Sequence, residues 1–297
     1  MQLQKLTIET KDLAKEFLVR KKCRLSSYAF ENIIIWDSLY DILWVKIENS
    51  LCIFFKDETG CFLYLSPIGN GFDNDVVKEC FKIMDRYNKN PIISRIENID
   101  SHERRYYIEH SYNISKVGCE YVCSRDSLVA LKGNKFKSKR SSVNYFKKNY
   151  AYQMIPYEAT YKKDCLDFFI VWMADRKKKN TSLLYQQLLN DNLNAFKNFL
   201  NYYDFLDAEG YIIKIKNQIK AFTFGYKLNS DTFVILFEIC DLRIKGISQF
   251  IFEEFCRAQT QKNINIMDDS CLENLRKVKL SYHPYKLIDK FIAKRYE

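Results

Sequence analysis

Residues 238–255 read EICDLRIKGISQFIFEEF, where an apolar strand pattern ends and a glycine opens an amphipathic helix pattern. Here Arg243, Lys245, Gly246 and Ser248 have a spacing that suits an anion. A glycine lets backbone approach closely, amides at a helix N-terminus point at negative charge, and two cations add to the field. Such a loop can cradle an anionic group; a strand-to-helix turn with surface cations is the plain alternative. Just upstream, Glu238 is a carboxylate in an apolar run, placed to act as a base or to hold an ammonium group, although strand-end carboxylates more often face solvent. Gly225 in AFTFGYKL interrupts a strand pattern, as a bulge does.

A second candidate is LKGNKFKSKRSSVNYFKKNY, residues 131–150. Lys132, Lys135, Lys137, Lys139, Arg140, Lys147 and Lys148 lie there with no Asp or Glu, against a whole-chain excess of 47 − 37 = +10. Phe136, Tyr145, Phe146, Tyr150 and Tyr152 are interleaved with them. Phosphates meeting cations while exposed bases stack on rings would suit a nucleic acid, and the same charge would suit an anionic lipid surface. A solvated helix face is the plain alternative. On a helical wheel Phe136, Val143, Phe146 and Tyr150 share one side, so one face can dock while its flank stays charged.

The ten cysteines are scattered without a Cys-x-x-Cys pair, and His102, His110 and His283 are not spaced as partners. The expectation is reduced core filler and no metal site.

Two domains are the default for 297 residues. The aromatic-rich composition with few Gly and Pro is that of packed globular protein. The start, MQLQKLTIETKDLAKEFLVRKK, alternates apolar and charged residues, so neither a signal peptide nor a membrane span is expected, and the expected location is cytoplasmic, at most peripheral to a membrane. Periodicity predicts helices over 10–22 and 27–40, then strands DILWVKIE, LCIFFKD and CFLYLSP, and then the order helix, strand, helix, strand to GCEYVCS. The second half repeats the motif: strand-like AYQMIPYEATY, two helices, a three-strand meander, then helix, strand, helix and a final YKLIDKFIAKR. The expected division is a first domain at 1–130, a basic bridging helix at 131–150 and a second domain at 151–297.

This order resembles the GCN5-related N-acetyltransferase (GNAT) fold in tandem: an α/β (α+β) class with two acyl-CoA N-acyltransferase-like domains, each a mixed, mostly antiparallel sheet flanked by helices. The Arg243 to Ser248 loop is similar to that superfamily's acyl-coenzyme A pyrophosphate loop. The first half has SPIGNGFDND at the corresponding place, with Asp73 and Asp75 and no cation, so an active site is expected in the second half.

A more specific resemblance lies in MDDSCLENLRKVKLSYHPYKL, residues 267–287. With the 131–150 segment it resembles the C-terminal domain family of phosphatidylglycerol lysyltransferases (lysyl-phosphatidylglycerol synthases), distant relatives of Fem ligases. Leu275, Arg276, Lys279, Tyr282 and Pro284 match that family's motif, while Val278 and Ser281 depart from it. The resemblance implies an aminoacyltransferase that uses aminoacyl-tRNA as donor and needs no cofactor. Asp268 or Asp269 would hold the amino acid's ammonium and Arg276 would meet carbonyl or phosphate; Lys135, Lys137, Lys139, Arg140, Lys147 and Lys148 would bind tRNA or an anionic lipid surface. The alternatives are a coenzyme A-dependent N-acyltransferase with acyl-CoA as donor, and a non-catalytic module that binds RNA or anionic surfaces. For the Asp pair and Arg276, a helix start and a surface ion pair are the plain alternatives.

Overall fold

The structure is a computed structural model that describes residues 2–21 and 23–296. The chain forms two compact units: Met1–Glu120 with Asp268–Leu275 and Leu287–Glu297, and Tyr121–Met267 with Arg276–Lys286.

In chain order the first unit contains β1 (Gln4–Lys5), α1 (Lys11–Arg20), α2 (Phe30–Ile33), β2 (Asp41–Ile47), β3 (Ser50–Lys56), β4 (Cys61–Leu63), α3 (Asn74–Tyr87), β5 (Ile96–Asp100), α4 (Arg104–Glu109) and most of β6 (Tyr112–Ser124). The helix expected over 27–40 is shorter and tightens into a 3-10 turn at Ile34–Trp36. α3 buries Val76, Val77, Cys80, Phe81 and Met84 along one stripe. Its N-terminus is capped by Asp73, whose carboxylate accepts from the amides of Asp75 and Val76. The first unit's counterpart of the anion loop is therefore occupied by its own side chain.

The second unit adds α5 (Arg125–Ala130), α6 (Lys137–Asn149), β7 (Gln153–Pro156), α7 (Lys162–Lys179), α8 (Leu183–Tyr202), β8 (Ala208–Ile215), β9 (Gln218–Lys227), β10 (Thr232–Cys240), α9 (Ile247–Ala258) and β11 (Asn263–Asn265). After these come α10 (Glu273–Leu280) and β12 (Lys286–Arg295). Val143 and Phe146 of α6 and Phe136 just before it are buried, as the wheel predicts. Its apolar face joins Ile247, Phe250 and Ile251 of α9 over one side of the sheet. The other side carries an aromatic layer, in which Phe196 of α8 stacks on Phe222 of β9 at 4.7 Å and meets Phe237 of β10 at 5.1 Å.

Within each unit six strands pair in one pattern. In the first, β1, β2, β3 and β4 pair antiparallel in succession, β4 pairs parallel with β5, and β5 pairs antiparallel with β12. In the second, β7 to β10 pair antiparallel in succession, β10 pairs parallel with β11, and β11 pairs antiparallel with the end of β6. The chain's last strand thus completes the first unit's pattern, and the end of a strand from the first half completes the second unit's. Division at 130 and 150 follows composition, but the contacts follow this exchange of strands, which local periodicity does not encode.

Candidate active site

The second unit's site begins where β10 and β11 part. Their parallel register ends at Val234 opposite Asn265, while β10 runs on to Cys240 paired with β9. A register shift between Ile235 and Phe237 bulges β10 opposite Gly225, as the glycine in AFTFGYKL suggests. A side chain at Gly225 would strike the Val234 carbonyl at 2.2 Å and the Phe233 ring at 2.4 Å. Past the bulge, Glu238 sits directly across from Thr223 of β9, on the face covered by α6 and α9.

Two polar atoms there lack partners. Glu238 Oε2 and Thr223 Oγ1 are both buried and make no hydrogen bond among the described residues. As a whole residue Glu238 keeps partial exposure, while its Oε2 is buried. Burial pushes the Glu238 carboxyl up to about 8, opposed by the charges of Lys139 and Lys279. Burial in turn pulls the half-buried Lys139 amine down, opposed by Glu238. Lys139 Nζ stands 3.9 Å from the centroid of the Tyr282 ring, which is buried against Phe252 at 4.2 Å. Lys279 Nζ donates to the Ile266 carbonyl, at the point where β11 ends. The cluster has one carboxylate that can take a proton, a hydroxyl opposite, and two ammonium groups that can stabilise a developing oxyanion.

The motif residues Lys279 and Tyr282 thus meet Glu238, and Lys139 turns inward from the basic block to join them. Thr223 had no sequence signal beyond being polar in an apolar strand. Pro284 lies in the turn after Tyr282, before Tyr285, whose amide bonds the Val122 carbonyl at 3.0 Å.

The anion loop is engaged within the protein. Arg243 is exposed and grips Asp241 with two bonds of 2.8 Å, holding that carboxyl below its usual range. Lys245 Nζ lies 4.5 Å from the Tyr145 ring centroid. Gly246 has φ +87°, and a side chain there would meet the Ser142 carbonyl at 2.1 Å. Its open side therefore receives α6. Ser248 is half buried in the first turn of α9.

The other expected site residues are dispersed. Asp268, in the first unit, accepts from Lys290 and from the Ser270 amide at 3.0 Å, and Asp269 accepts from the Cys271 amide at 3.0 Å. Met267, Ser270 and Cys271 hold left-handed backbone around them. Arg276 is exposed on α10 with no bonded partner among the described residues. Within the basic block, Arg140 donates to the carbonyls of Leu131 and Gly133, closing α5 where Leu131 is left-handed. Lys147 pairs with Glu254 at 3.0 Å, while Lys132, Lys135, Lys137 and Lys148 are exposed. A cleft of 520 Å³ beside α6 and α9, lined by Lys147, Tyr152, Met154, Tyr211, Phe250 and Arg257, does not reach Glu238. Among the described residues no group of three or more His, Cys, Asp or Glu could hold a metal ion.

The family model for the C-terminal domain of phosphatidylglycerol lysyltransferase matches residues 20–294. The chain belongs to that family. No curated protein matches the sequence. Among solved structures, a conserved protein of unknown function from Bacteroides thetaiotaomicron is similar at 26% identity and TM-score 0.89, over 100% of both chains. L-PGS from Bacillus licheniformis is similar at 18% identity and TM-score 0.67, over 96% of this chain and 91% of that one. FemX is similar at 11% identity and TM-score 0.63, over 100% and 98%. The fold is a tandem GNAT-like arrangement, as its element order suggests. The family marks an acyltransferase domain of the phosphatidylglycerol lysyltransferase type, and its fold is similar to that of FemX.

Proposed function

We propose that this protein transfers an aminoacyl group from aminoacyl-tRNA to an amine or hydroxyl acceptor, with Glu238 as the base. The observation that carries this reading is the buried, unpartnered Glu238 oxygen set between Lys139 and Lys279. The acceptor's proton passes to Glu238 as its nitrogen or oxygen bonds the ester carbonyl. The ester bond to the tRNA ribose breaks, and the ribose oxygen takes the proton. Lys139 and Lys279 stabilise the intermediate oxyanion in a dry site, where fixed charge is most effective. The ester is already activated, so alignment of the reactants supplies much of the rest and no cofactor is required. Exposed Lys132, Lys135, Lys137 and Lys148 supply the tRNA surface, and Arg276 is free to meet a phosphate.

The test is retention of labelled tRNA against salt, with and without coenzyme A, followed by loss of the aminoacyl ester from charged tRNAs in the presence of amine and hydroxyl acceptors. Retention that falls steeply with salt and ignores coenzyme A, with transfer lost in E238Q and K279A, is expected. Coenzyme A binding without tRNA retention, or full activity in E238Q, would sink the proposal.

A further inference from the structure

The 520 Å³ cleft beside α6 and α9 serves neither the Glu238 site nor the core. One wall is α9, where Phe250, Glu254 and Arg257 recur at helical spacing on one face. The other is β7, which pairs with β8 alone among the described residues. Tyr152 and Met154 line the cleft from that side, and the Tyr152 ring stands 4.7 Å from that of Phe250, which is the apolar floor. From Phe250 to Ala258 the helix rises about 12 Å, and from Tyr152 to Pro156 the chain extends about 13 Å. Both walls are long enough for about four extended residues.

The strand leaves main-chain groups unpaired. The Tyr157 amide donates to the Gly210 carbonyl at 2.8 Å, which sets the phase of the ladder. Gln153 and Ile155 therefore turn their main chain toward β8, while the amide and carbonyl of Met154 and the carbonyl of Pro156 face the open edge. Pro156 has no N–H to offer, so pairing on this edge stops after one residue. Such an edge suits the end of a chain better than a long strand or a second copy of β7.

The rim supplies the charge. Glu254 is bracketed by Lys147 at 3.0 Å and Arg257 at 3.5 Å, and Arg257 also binds Glu253. An ammonium has three N–H donors and a guanidinium five, so both cations keep donors to spare. The hydroxyls of Tyr152 and Tyr211 face the same cleft with no bonded partner among the described residues. Spare cationic donors, an aromatic floor and an unpaired strand edge together match a carboxylate at the end of an extended chain. We infer that this cleft binds the free C-terminus of a peptide. Its last residues pair with Met154, its terminal carboxylate meets Lys147 and Arg257, and its final side chain lies over Phe250 and Tyr152. A polyanion would use the two cations but would meet Glu254 as well, and it would leave the Met154 main chain unpaired. This binding is independent of the aminoacyl-transfer reading.

The test is capture from a pool of pentapeptides, randomised at the last three positions, on the immobilised whole protein, with bound peptides identified by mass spectrometry. Enrichment of peptides that end in an apolar or aromatic residue is expected. The same pool with amidated C-termini should be enriched at least about tenfold less, the worth of a charge-assisted hydrogen bond. Lys147→Met keeps a side chain over the Phe250 ring, which Lys147 Nζ approaches at 5.3 Å, and should lose about as much as amidation does. Met154→Pro removes an amide that β8 does not use, so it should abolish capture while melting stays near that of wild type. No enrichment from the acid pool, equal enrichment from the amidated pool, or full capture by Lys147→Met overturns the proposal. Free phenylalanine displacing an enriched peptide as well as the peptide itself does would also overturn it, because the strand edge would then contribute nothing. So would self-association of the protein that Met154→Pro abolishes, since a second copy would then occupy the edge.

Discussion

Replacing Glu238 with Gln keeps the shape of the site and removes its ionisation, and its effect on stability has a definite sign. The carboxyl, ordinarily near 4.5, is held up at about 8. Between those two values the folded protein binds a proton that the unfolded chain does not, so wild-type stability falls as pH rises from about 4.5 and levels off above about 8. At roughly 1.4 kcal/mol per pH unit, the cost at pH 7 is about 3 kcal/mol relative to pH 4.5. E238Q does not bear it. The variant should therefore match wild type near pH 4.5 and melt roughly 5–10 °C higher near pH 7, given how a chain of this size converts stability to Tm. Thermal or urea melts of both proteins across this range measure the difference, in which other titrating groups cancel. A difference that stays flat with pH would refute the reasoning. A wild type that is the more stable protein at pH 8 would also refute it, since Glu238 would then be ionised and firmly paired with Lys139 and Lys279. Catalysis should move the other way, with wild-type transfer rising with pH up to about 8 as Glu238 loses its proton, and E238Q inactive throughout.

G246A should lose at least about 2 kcal/mol in urea unfolding, because alanine must both hold a left-handed φ and displace the Ser142 carbonyl. R140A should lose about 1–3 kcal/mol, since two carbonyls at the end of α5 lose a charged donor. K148A, at an exposed residue with no bonded partner among the described residues, should leave stability unchanged and lower the salt slope of tRNA retention by about one. R276A should lower transfer and, like K148A, reduce the salt slope of tRNA retention by about one while leaving melting unchanged, which steady-state transfer assays and filter retention together would show.

The site is only partly legible in the residues. Lys279 and Tyr282 stand out because they sit in a spaced motif, and Glu238 because it is charged in an apolar run. Lys139 reads as one of seven equal cations, yet burial beside Tyr282 separates it from Lys132, Lys137 and Lys148, which stay in solvent. Arg243 and Gly246 read as a ligand cradle, while in the fold Arg243 binds Asp241 and Gly246 lets α6 approach closely. Asp268 and Asp269 read as a pair, yet Asp268 binds Lys290 and Asp269 closes a turn.

By itself the sequence determined the helices and strands, the repeat of their order, and the apolar face of α6. Each of these is a local period of hydrophobic residues, and a local period survives whatever the rest of the chain does. Only the tertiary structure decided that β12 completes the strand pattern of the first unit and the end of β6 that of the second, that β10 and β11 part beside Glu238, and which lysines turn inward. Those outcomes depend on pairing and burial between segments far apart in the chain. The same residue types would be surface charges in one arrangement and a proton-transfer site in another.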